Sequence, residues 1–129
     1  MVRPEQVTIR FRFFQVATSV IADERRSLAL FHVDGTRVRF AWNQDDPPPT
    51  SARTWPAWRR YIEYLRGRAA EIEPTEEGLL SLGPEGMAYG GSYWSPVRCG
   101  ATRYPDAQFL EMVHDARLVV PPSKTTEAA

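Results

Sequence analysis

The chain has 129 residues, 43% of them hydrophobic and 12% aromatic, which is one domain with enough apolar material for a core and too much for a disordered chain. Sixteen acids balance sixteen bases, so the net charge is zero and the overall basicity of a dedicated nucleic-acid binder is missing. One cysteine, Cys99, excludes an internal disulfide and any multi-cysteine metal site, and no apolar run approaches the roughly 18–20 residues that span a bilayer.

The zero net charge hides an asymmetry. Residues 1–60 carry ten bases and six acids, and residues 61–129 carry six bases and ten acids. Either the halves attract each other within the fold, or each shows its charge to a different partner. Lys124 is the only lysine, so almost every cation is a planar guanidinium suited to phosphate, carboxylate and aromatic faces. The opening MVRPEQVTIR lacks the apolar core of a signal peptide, and the bacterial cytoplasm is the expected address.

Residues 7–14, VTIRFRFF, alternate with a period of two, which predicts a half-buried strand. Val7, Ile9, Phe11 and Phe13 fall on one face; Thr8, Arg10, Arg12 and Phe14 fall on the other. Residues 15–22 are ambiguous, and ADERR at 22–26 reads as a turn. SLALFHV and TRVRFAW then flank Asp34-Gly35, the signature of a two-residue type I′ hairpin whose corners both need positive φ. That turn predicts Val33 opposite Thr36, Phe31 opposite Val38, and Ala29 opposite Phe40. These side chains share one face with Trp42, and Leu28, Leu30, His32, Arg37, Arg39 and Ala41 share the other.

NQDDPPPTSAR at 43–53 is a loop, because three prolines remove ladder donors. A helix follows, with Thr54 as its cap and Pro56 in its first turn. Trp55, Trp58, Ile62, Leu65, Ala69 and Ile72 form its apolar stripe, and Tyr61 borders it. GLLSL at 78–82 is expected to pair with 86–94 as a second hairpin, turning at Gly83–Gly86. A second helix should run from Pro105 to about Asp115, with Leu110, Val113 and one of Phe109 or Ala116 inward. LVV at 118–120 reads as a short edge strand stopped by two prolines. The expectation is one α+β domain over 1–122 with a frayed tail at 123–129. Its fold is an antiparallel sheet of four to five strands, with one long and one shorter helix packed on one face.

Chemical motifs are sparse. In GMAYGGSYWSPVRCG, residues 86–100, the glycines precede a strand and not a helix start, so a phosphate cradle is disfavoured. A glycine kink is the plainer reading, with Tyr93 or Trp94 pushed outward as a contact anchor as the functional one. Cys99 reads as a small buried hydrophobe more readily than as a nucleophile, since only His32 and His114 could serve it as base. The two histidines stand 82 positions apart without ligand spacing, so neither metal nor cofactor is expected.

The strand readings put Arg10, Arg12, Arg37 and Arg39 on one sheet face beside His32 and Phe14. The function expected is non-catalytic binding of a macromolecule, of a regulatory, inhibitory or immunity type. Its contacts would be Arg10, Arg12, Arg37, Arg39, Tyr93 and Trp94, and its partner a protein with an acidic surface. One alternative is RNA or single-stranded DNA on the same arginines, held by phosphate contact and base stacking. Another is a small-ligand pocket or enzyme site lined by Trp55, Trp58, Tyr89 and Trp94. The same arginines could instead lie under the chain's own EIEPTEE at 71–77, and an exposed edge strand could pair two copies into a homodimer. No motif is specific enough to name a family.

Overall fold

The computed structural model describes residues 5–19, 24–44, 55–87 and 92–122. In chain order these form β1 (Val7–Ser19), β2 (Glu24–Val33), β3 (Val38–Trp42), α1 (Trp55–Ala69), α2 (Glu76–Leu80), β4 (Gly86–Met87), β5 (Ser92–Trp94), β6 (Arg98–Thr102) and α3 (Pro105–Asp115). The strands make one antiparallel sheet in the order β3-β2-β1. Beyond β1, the edge is divided: β6 pairs with Val7–Phe11, β5 pairs with Phe14–Val16, and β4 lies outside β5. The expected α+β architecture with one long and one shorter helix is what forms. Among the described residues it has six strands, and α2 is a third, one-turn helix.

The first hairpin differs from expectation in its turn. Val33 pairs with Val38, Phe31 with Phe40 and Ala29 with Trp42, so the connection has four residues and the register moves by two. Only Gly35 takes positive φ there, at 92°, whereas type I′ needs it at both corners. Asp34 organises the wider turn: its carboxylate accepts from the backbone N–H of Thr36 and Arg37 and from the Thr36 hydroxyl. A slip of two keeps the paired side chains on their expected faces, where a slip of one would have inverted the sheet. Leu28, expected beside Leu30, is skipped by a register shift against β1 and joins the core of Ala29 and Phe31 instead.

The larger correction concerns β1. Its alternation is real, yet both faces are packed against by other parts of the chain. Phe14 packs with Phe31, Val33, Phe40, Trp42, Trp94 and with Ile62 and Leu65 of α1 in the main core. On the other side Phe11 and Phe13 pack with Leu30, Ala41 and α3, through Phe109, Val113 and Leu118. The two helices therefore cover opposite faces of the sheet, not one. On α3, Phe109 and Val113 point inward as that packing requires, and Leu110, expected inside, is 58% exposed.

The second hairpin is also rearranged. Residues 76–80 are helical: Thr75 caps the turn by accepting from Gly78 N–H at 3.1 Å, and Glu76 and Glu77 sit where the helix dipole favours acids. On the side away from β1, β5 pairs with the two-residue β4, with Met87 opposite Tyr93. Residues 118–120 contribute a single bridge, Val119 to Trp42, at the β3 edge. No helix among the described residues is long and apolar enough to cross a membrane.

Candidate functional site: an aromatic cleft beside a buried arginine

The four strand arginines do not form one surface. Arg10 and Arg12 share the β1 face that Phe14 occupies, toward α1, and Arg10 stands half-buried between Val33 and Cys99 on the flanking strands. Arg37 and Arg39 lie on the α3 side. Arg39 pairs with Asp34 at 3.1 Å and with Asp106, and Arg37 pairs with Asp106 at 3.0 Å. The two pairs to Asp106 join bases of the first half of the chain to an acid of the second, so part of the charge asymmetry is resolved within the fold. The acidic 71–77 segment forms its own local pair, Arg68 with Glu71 at 3.0 Å.

His32 is wholly buried on the α3 side, with Nε2 3.0 Å from Oε1 of Gln108 and the ring 5.4 Å from that of Phe109. Burial pushes its pKa below the ordinary value; the Gln108 contact, Asp34 and Asp106 oppose that and Arg39 adds to it. Burial acts to raise the pKa of Asp34, but hydrogen bonds from Thr36 and Arg37 and the charge of Arg39 win, and it lies below the usual carboxylate range.

Arg12 is the outlier. It has no exposed surface. Its Nε donates to the carbonyl of Ser95 and its Nη1 to the carbonyl of Leu79, both at 2.8 Å, so one guanidinium ties α2 to the end of β5. Its carbon lies 4.7 Å from the centroid of the Trp94 ring, and Nη2 has no hydrogen-bond partner. Burial lowers its pKa, and the field of Glu85 partly restores it. Ser95 is held in turn by β1: its N–H donates to Phe13 O, and its hydroxyl accepts from Phe13 N–H at 2.9 Å.

Trp94 is core, not an outward anchor; it is 5% exposed, with its ring 4.9 Å from Phe14 and 5.9 Å from Phe31. Tyr93, on the opposite side of β5, is half-buried under the guanidinium of Arg25 at 4.0 Å. The Gly90-Gly91 kink and Tyr89 fall outside the described residues. Cys99 is exposed on β6, contrary to its expected burial. His32 is buried and held by Gln108, whereas His114 is exposed on α3, 3.6 Å from Asp115.

One cleft gathers the aromatic residues. It has a volume of about 330 Å³ and is lined by Phe14, Trp58, Tyr61, Leu82, Gly83, Pro84, Ser92 and Trp94. The Phe14 ring joins its aromatic walls, with ring centroids 5.9 Å from Trp58 and 5.0 Å from Tyr61. The Tyr61 hydroxyl is pushed toward its neutral form by burial, while a hydrogen bond from Trp94 works the other way. Gly83 presses its backbone against the indole: a Cβ there would lie 2.6 Å from Trp94 Nε1. Of the tryptophans and tyrosine expected to line a pocket, Trp58 and Trp94 do so. The side chain of Trp55 is not described. The helical stripe marks Trp58 and Tyr61; the alternation of β1 places Phe14 on the water side, where the structure buries it, and Leu82–Pro84 carry no sequence signal.

A second, larger hollow of about 590 Å³ lies between the end of α1, Val38 and Phe40 of β3, and Val120–Pro122. Its aromatic content is Phe40 alone, and Arg66 within it donates to the Pro122 carbonyl. Among the described residues no three His, Cys, Asp or Glu side chains are grouped to hold a metal ion. Compared with known proteins, the chain matches no family model, no curated protein and no solved structure.

Proposed function

We propose that this domain is a binding module that takes a small planar ligand into the cleft between α1 and β5. The carrying observation is the convergence of Phe14, Trp58, Tyr61 and Trp94 on one hollow of about 330 Å³. That volume is at the lower end of the range for ligand sites, and aromatic walls with a few fixed polar groups are their usual lining. Flat rings meeting Phe14 and Trp58 at tilted angles would gain both area burial and favourable ring geometry. Ser92 and Tyr61 supply the hydroxyl groups of the lining.

The macromolecular reading loses its proposed surface, since the four arginines divide between two faces and one of them is enclosed. The test of the cleft is a calorimetric titration with naphthamide as probe. Binding should be measurable, and Trp58→Ala, at a partly buried wall packed against the core, should abolish it while the circular dichroism spectrum stays that of a folded chain, at a lowered unfolding midpoint. Undiminished binding by a folded Trp58→Ala variant would refute the assignment.

A further inference from the structure

We infer that the cleft selects an anionic aromatic ligand, a planar ring system carrying a carboxylate. This rests on the cleft being a ligand site and adds the sign of the ligand's charge. The argument starts from Arg12. A guanidinium removed from water needs a counter-charge or a full set of acceptors. Arg12 has two carbonyls, one idle Nη2 and no carboxylate within ion-pair distance among the described residues. Glu85, on the rim segment next to Pro84, influences it only through space. The domain thus holds an under-compensated positive charge.

That charge adjoins the cleft. Arg12 stacks on Trp94, which is a cleft wall, and is bonded to α2, which leads directly into the Leu82–Pro84 wall. Arg12 does not itself line the cleft; its charge stands behind the Trp94 wall, so its field enters through that ring while the open side of the cleft is water. The same field opposes the other occupant an aromatic box suggests, an organic cation held by cation–π contact. One face of Trp94 is already engaged by a cation of the protein itself.

The experiment compares three probes of one size: naphthoate, naphthamide and naphthylmethylammonium. Naphthoate should bind about five- to tenfold more tightly than naphthamide at low salt, with the ammonium weakest. Glu85→Gln removes an exposed carboxylate, so it should tighten naphthoate about two- to threefold and leave naphthamide unchanged. Arg12→Gln, if folded, should equalise naphthoate and naphthamide. Should Arg12→Gln not fold, the Glu85→Gln comparison decides. Equal affinity for naphthoate and naphthamide in the parent protein, or preference for the ammonium, would overturn the charge assignment and leave the cleft reading standing. No binding by any of the three would overturn both.

Discussion

His32 gives the fold a pH dependence that can be calculated. The ring is fully enclosed, and its surroundings are Gln108, Phe109 and the ion-paired Arg39, Asp34 and Asp106. Burial favours the neutral imidazole, so the folded-state pKa lies below the unfolded value of about 6.5. The unfolded chain therefore takes up a proton first as pH drops. Stability linked to neutral His32 is complete above about pH 6.5 and declines from there toward the folded-state pKa, with a slope of at most about 1.4 kcal/mol per pH unit. Down to pH 5 the loss is bounded at about 2 kcal/mol. Asp34 stays out of this window, because its pKa is lowered from 3.8. Urea unfolding followed by circular dichroism between about pH 7.5 and 5 measures the slope. His32→Gln should flatten it relative to the parent, whatever that variant does to stability at neutral pH. His114→Gln, at a side chain 91% exposed, is the control. A slope unchanged by His32→Gln would refute the reasoning.

Two further substitutions probe the packing. Gly83→Ala places a Cβ 2.6 Å from Trp94 Nε1, and that ring is held between Phe14, Phe31 and Arg12, so overpacking should cost about 1–3 kcal/mol in urea unfolding. A variant as stable as the parent would show that the indole can yield. On α3, Phe109→Ala should cost about 3–5 kcal/mol, while Leu110→Ala should change stability by under about 0.5 kcal/mol; the reverse order would place the wrong side of the helix against the sheet.

Strand periodicity was readable because a period of two survives errors of register. The β2–β3 pairing expected from Asp34-Gly35 was off by two residues, yet Phe31, Val33, Phe40 and Trp42 were assigned together correctly. The α1 stripe of Ile62 and Leu65 was equally legible, since a helix packed on one side exposes the other. What the pattern could not show is how many faces of the sheet are covered. Alternating Arg and Phe in β1 looks like a water boundary, whereas the arginine side of β1 turns toward the larger core, with Phe14 and Val16 in the same parity. Helix α2 escaped because one turn is too short for a periodic signal, and its clearest mark was a cap, Thr75, ahead of two acids. The cleft was half legible for a similar reason: Trp58 and Tyr61 belong to a local pattern, while Leu82–Pro84 reach it only through tertiary packing.

Arg12 raises the question of what its charge contributes. If the guanidinium served stability alone, keeping the charge should matter most. The structure argues otherwise. Two carbonyls engage it, Nη2 is idle, and the desolvation of a buried ion costs several kcal/mol by general estimate. Arg12→Lys retains that charge but loses the planar fork that reaches both Ser95 and Leu79, and the stacking on Trp94. Arg12→Met removes the charge, fills much of the volume, and leaves two carbonyls unpaired at about 1–3 kcal/mol each. The lysine variant should therefore be the less stable of the two in urea unfolding at neutral pH. That order would mean the fold tolerates its buried cation at a thermodynamic cost, as expected for a charge retained to meet a ligand. If Arg12→Lys instead matches the parent while Arg12→Met is strongly destabilised, the charge is itself a stabilising element and ceases to point toward an anion.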